Sequence, residues 1–193
     1  EKKISQFMDI YLPNGNKDSY PVVIVIHGSG WRANNKKSID YGRNVFVNPL
    51  TQKNFAVAII NHRSSTLDSI FPAQIHDVKA AVRYLRAKAK ELSLDPSFVG
   101  ITGYSSGGHL AALAGTSSYD LTVEGNVGKY LNFSSHIDAV VDFYGPTDMS
   151  VFDDCLKTMG KQFKSPRKIP LFDNFVDQVP KEVQRANPIA YIK

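Results

Sequence analysis

Apolar side chains fall into short blocks, separated by stretches with a different rhythm. Phe7 to Leu12 alternates between two faces and closes in the turn Pro13-Asn14-Gly15, the pattern of a half-buried strand. Val22 to Ile26 is wholly apolar and β-branched, as a strand buried on both faces of a parallel sheet requires. Phe55 to Ile60, Phe98 to Thr102 and Ile137 to Phe143 read the same way. Among these runs, Pro72 opens a helix whose Ile75, Val78, Val82 and Leu85 recur at spacings of three and four. Lysines and arginines take its other side, and Leu94-Asp95-Pro96 ends it. A shorter helix starts at the glycines after Ser105 and runs through His109 to Ala114, with small residues suited to close packing. The alternation predicts an α/β fold, a mostly parallel sheet flanked by helices. Residues 149–187 mix charges, prolines and isolated aromatics without a period. They predict an irregular, cap-like excursion over the carboxyl edge of the sheet, where insertions shape pockets.

A length of 193 residues is enough for one domain, 1–193, with a real core. The net charge of +5 is spread along the chain, and only Asn34-Asn35-Lys36-Lys37 and Lys161 to Lys168 are locally basic. No basic stripe is interleaved with stacking aromatics, which argues against a nucleic-acid partner. The single cysteine, Cys155, excludes an internal disulfide framework and a cysteine-based metal site. No apolar run reaches the length of a membrane helix. The chain opens on Glu1, so the expectation is a start that has been processed or trimmed. Cytoplasmic location and export with a signal removed both stay open.

Chemistry concentrates in Thr102-Gly103-Tyr104-Ser105-Ser106-Gly107-Gly108-His109. Its G-x-S-x-G pattern follows an expected buried strand and precedes an expected helix. A nucleophile elbow needs that setting: a sharp turn strains the serine backbone and lifts its hydroxyl above the sheet. The following helix aims its free N–H groups at developing negative charge. Directly after the Val22–Ile26 strand comes His27-Gly28-Ser29-Gly30-Trp31. This loop matches the HGGG type that supplies backbone donors to a tetrahedral oxyanion. Ser105 is therefore the expected nucleophile, with the amides of Ser29, Gly30 and Ser106 as expected oxyanion donors. Trp31 is a candidate pocket wall, or equally a side chain packed beneath the loop. No metal or organic cofactor is implied.

These stretches resemble the esterase branch of the α/β-hydrolases, which includes hormone-sensitive-lipase-like and bacterial acetyl- and feruloyl-esterase-like proteins. The resemblance covers nearly the whole chain. It takes in Met8-Asp9-Ile10-Tyr11-Leu12-Pro13, Asn61-His62-Arg63, the helix opening Phe71 to Val78, Phe143-Tyr144-Gly145-Pro146-Thr147-Asp148 and Ala186-Asn187-Pro188-Ile189. It implies hydrolysis of carboxylic esters through an acyl-enzyme, with short acyl groups on a small-molecule or carbohydrate-linked substrate. It also places the triad acid and histidine after two further strands beyond Ala186–Ile189, so the fold is expected to be incomplete at its C-terminal end.

Of the histidines present, His76 falls inside a helix and His136 on the wrong edge of the sheet. His109 is expected to be a satisfied core residue, and His27 a brace for its loop. His62 is the remaining substitute base. Asp148 is expected to cap a turn and Asp77 to support a helix start. A prolyl-oligopeptidase-like peptidase, an inactive hydrolase fold used for binding, and a homo-oligomer that completes the site stay open.

Overall fold

The computed structural model describes residues 6–15, 17–32, 42–65, 69–158, 160 and 168–192. The basic stretch 34–37 lies outside the described residues, as does most of the stretch 161–168. Strands β1 (Met8–Tyr11), β2 (Tyr20–Ile26), β3 (Ala56–Ile60), β4 (Leu94–Tyr104) and β5 (Ala139–Phe143) form one sheet in the order β1-β3-β2-β4-β5. β1 runs antiparallel to β3, and the other pairings are parallel. β2 and β3 sit inside the sheet, which is why their apolar runs are continuous: all five residues of β3 are buried.

The two faces have different covers. Ile24, Ile26, Ala58 and Ile60 meet helices α2 (Ala73–Ala87) and α3 (Ser106–Thr116) through Ile75, Val78, Val82, Leu110 and Leu113. On the other face, Val25, Val57 and Ile59 pack on Phe46 and Val47. Those two side chains come from a π-helical turn, Arg43–Val47, which continues into the short helix α1 (Asn48–Gln52). The sequence reading did not anticipate this element. Side chains of this size stabilise by roughly 1.5–3 kcal/mol each when fully buried.

Several expectations change. The long helix ends at Ala87, and Leu94 instead opens β4, pairing with Tyr20 ahead of a register shift. Its polar side is not wholly solvated: Lys79 and Arg83 are buried beneath the segment that follows α3. Lys79 Nζ donates to the Ser117 carbonyl (2.8 Å) and Glu124 Oε2 (3.1 Å), and Arg83 pairs with Glu124 Oε1. Lastly, 149–187 is more than an excursion. It holds helices α4 (Phe152–Thr158) and α5 (Pro180–Ala186), and it buries Met149, Ile169, Leu171, Phe172, Val183 and Ala186 in the main core.

β5 is the outermost strand on its side, and Val140, Val141 and Phe143 are 39%, 53% and 43% exposed. Its apolar run was expected to be buried on both faces. Its edge position explains the difference.

Candidate active site

Ser105 sits between β4 and α3 with φ 55° and ψ −125°. A side chain adopts that conformation at a cost of about 1–3 kcal/mol, so the surroundings must hold it. They do so through its backbone: the Ser105 N–H donates to the Phe143 carbonyl (3.0 Å), and its own carbonyl accepts from the His109 N–H (3.0 Å). Gly107 permits the turn, since a Cβ there would lie 2.2 Å from the Ile26 carbonyl oxygen. Gly28 allows the neighbouring loop to lie against the elbow: a Cβ there would stand 2.6 Å from the Tyr104 carbonyl oxygen and 3.0 Å from Ser105 Cβ. Ser105 is half-buried, and among the described residues no side chain is hydrogen-bonded to its hydroxyl.

The loop and the helix head that carry the expected donors meet at this serine: Gly28 lies against Ser105, and Ser29 reaches Ser106. Ser106 opens α3, so its amide belongs to the helix's free N-terminal set. Gly30 has φ 60°, and among the described residues no atom stands within 4 Å of where a Cβ would lie. The Ser29 N–H, expected to face the oxyanion, instead donates to the Ser106 hydroxyl at 2.8 Å.

Trp31 is placed in the packing role. Only 3% exposed, it donates from Nε1 to His109 Nδ1 (3.1 Å) and meets Phe152 edge-on. His109 is a satisfied core histidine as expected, its Nε2 facing the Ala186 carbonyl at 2.7 Å. Burial first, and His62 to a lesser extent, hold its pKa down at about 4 despite the opposing pull of the Ala186 carbonyl.

His62 does not stand as a base. It is fully buried, its Nδ1 lies 2.8 Å from the Arg63 carbonyl, and its ring stacks on His27 at 5.7 Å. Burial is the main cause that lowers its pKa to about 4. The His27 pKa is lowered for the same reason. His62 Nε2 is buried with no hydrogen-bond partner among the described residues, while the His27 ring lies against Gly28 and Asn61. The sequence reading missed this pair. The signal was positional: β2 and β3 are parallel neighbours with Ile26 opposite Ile60, so the residues just beyond them converge.

Asp148 caps its turn, accepting from the Ser150 N–H (2.8 Å) and from Asn187 Nδ2 (2.9 Å). Asp77 takes Arg63 in a two-pronged pair and also accepts from the Arg63 N–H, tying the end of β3 to α2. A cavity of about 630 Å³ opens away from the serine, between β1, α2 and residues 127–130, and Ser105 is not among its walls. Among the described residues, no group of three or more His, Cys, Asp or Glu is placed to hold a metal ion. No helix among them is long and apolar enough to cross a membrane.

Solved structures share this architecture. A bifunctional GH43-CE protein of Bacteroides eggerthii superimposes with a TM-score of 0.88 and 44% identity, over 100% of this chain and 25% of that one. A truncated carbohydrate esterase from gut microbiota gives 0.85 and 42%, over 98% and 68%. The esterase Est2 of Thermogutta terrifontis, at 21% identity and a TM-score of 0.71, shares the fold. The class is thus an α/β-hydrolase of the esterase kind, with an incomplete version of that fold. The chain belongs to the BD-FAE family, whose sequence model matches residues 8–193. Among curated proteins, the probable carboxylic ester hydrolase LipM of Mycobacterium tuberculosis is 28% identical over 177 residues, 89% of this chain. The chain spans 38% of that relative's length.

Proposed function

We propose that the protein containing this chain hydrolyses carboxylic esters through an acyl-enzyme on Ser105, and that the ester is carried on a carbohydrate. The observation that carries the reaction is the left-handed Ser105 backbone, held at the head of α3 against the Gly28 loop. Ser105 Oγ attacks the ester carbonyl carbon and gives its proton to a base. The tetrahedral oxyanion takes hydrogen bonds from the amides of Ser106 and Gly30, worth about a hundredfold to a thousandfold in rate per donor. Ser29, its amide on the Ser106 hydroxyl, holds the loop. Collapse expels the alcohol, and water then releases the acid.

No described histidine is placed to serve Ser105, so the base comes from outside the described residues. The resemblance puts it, with its acid, beyond the Ala186–Ile189 segment. Two relatives above 40% identity named for carbohydrate-ester chemistry support the substrate class.

The test is to treat the full-length protein with a fluorophosphonate and map the modified peptide, alongside turnover of an acetylated polysaccharide. Single labelling at Ser105, with both labelling and turnover lost in Ser105→Ala, is expected. Turnover unaffected by that substitution refutes the assignment of the nucleophile. Labelling without polysaccharide turnover refutes the substrate class alone.

A further inference from the structure

Trp31 is the only tryptophan in the chain, and it ends the loop that carries the proposed oxyanion donors. Its φ of 60° is a left-handed conformation that a bulky residue keeps only when neighbours hold it. The Ser65 N–H holds its backbone, donating to the Trp31 carbonyl (2.7 Å), and His109 holds its side chain. The indole Nε1–H donates to His109 Nδ1 at 3.1 Å, and the two rings meet edge-on, 5.4 Å apart at 84°. On the far side of the imidazole, Nε2 lies 2.7 Å from the Ala186 carbonyl, which can only accept. That fixes the tautomer: the proton is on Nε2, and Nδ1 offers its lone pair to Trp31. The backbone of His109 meanwhile donates to the Ser105 carbonyl. One residue therefore touches the loop, the elbow and the end of α5.

We propose that His109 is a positioning residue, whose neutral Nδ1 latches Trp31 and so holds the His27–Trp31 loop in register with Ser105. The inference rests on the reading of Ser105 as nucleophile and of that loop as its oxyanion partner. It also predicts a response to acid. A protonated His109 carries an N–H on Nδ1, which would point at the Trp31 N–H, and two donors cannot bond. The titratable group acting on His109 through space is His62, from the loop after β3. On α5, Arg185 turns away to the Thr122 carbonyl. With the pKa of His109 held at about 4, the latch is closed at neutral pH.

A sole tryptophan gives a single indole N–H signal, so the latch can be read by NMR on the ¹⁵N-labelled chain without any substrate. The indole proton is expected to be protected from exchange at pH 7, and His109→Leu to speed its exchange at least about tenfold. In His109→Gln, the side-chain oxygen can accept from the indole and its amide can donate to Ala186. Protection should return, and the pH at which acid abolishes it should fall below the wild-type value near 4. A histidine that merely filled space would give the reverse order, since leucine would pack the site at least as well as glutamine.

Wild-type protection retained in the leucine variant overturns the latch, as does a glutamine variant no better protected than the leucine one. Should the leucine variant fail to fold, comparison of wild type with His109→Gln across pH decides. Fluorophosphonate labelling separates the two claims. An intact latch without labelling of the full-length protein refutes the esterase reading alone. Labelling as fast in His109→Leu as in wild type refutes the positioning role.

Discussion

At the scale of single residues, the site is a strained backbone held by hydrogen bonds that a motif does not spell out. The G-x-S-x-G pattern located Ser105, because the sharp turn leaves room for little except glycine around it. It did not show that the Ser106 hydroxyl takes the Ser29 amide, because a serine beside a nucleophile has many partners open to it. That bond can be tested. Ser106→Ala should slow fluorophosphonate labelling of the full-length protein by about tenfold and lower its stability to urea by about 1 kcal/mol, the worth of one net hydrogen bond. Gly107→Ala is the opposite case. Its Cβ would sit 2.2 Å from a main-chain oxygen with no flexible end to yield. Overpacking of this kind costs about 1–3 kcal/mol, and a fall in the urea midpoint together with loss of labelling is expected.

At the scale of elements, α2 shows where periodicity informs and where it misleads. The spacing of Ile75, Val78, Val82 and Leu85 placed the apolar stripe correctly. Lys79 and Arg83 looked like its solvated side, and the structure buries both against Glu124. Their cover comes from residues beyond Ser117, far along the chain, and no local pattern carries that information. The Glu124 carboxylate serves two buried cations and also accepts from the Ser135 hydroxyl. Glu124→Gln removes the carboxylate that pairs with both cations and leaves Lys79 only the through-space pull of Asp120, and a loss of about 3 kcal/mol is expected in chemical denaturation. Segment 149–187 is the other lesson. Its core residues are isolated along the sequence, so neither strand nor helix periodicity revealed that Ile169, Leu171 and Phe172 pack inside.

At the scale of the whole molecule, buried histidines set the response to acid. His62 and His109 are neutral when folded, with pKa values lowered by burial from 6.5 to about 4. The unfolded chain takes up these protons first, near pH 6.5, so between pH 6.5 and 4 it holds more protons than the folded one. Stability is therefore full above pH 6.5 and falls as pH drops through that window, by about 3 kcal/mol for each of the two residues. The urea midpoint should decline steeply from pH 6.5 to 4.5 and much less from pH 9 to 7. The place of His109 on a helix packed into the sheet already announced its burial, whereas the burial of His62, in the loop after β3, became visible only with the fold.

The outermost strand β5 has a consequence for how the isolated chain behaves in the test tube. Among the described residues no strand pairs with its outer side, and that side, with Val140, Val141 and Phe143 exposed along it, is a template onto which another molecule can add a strand. Two such margins meeting would make the particle size depend on protein concentration, and the sedimentation coefficient should climb as a sample is concentrated. A lysine in place of Val141 would act as a gatekeeper, since joining two copies would then bring positive charges together on a margin that must dry. In the Val141→Lys protein the sedimentation coefficient should stay level across the same range.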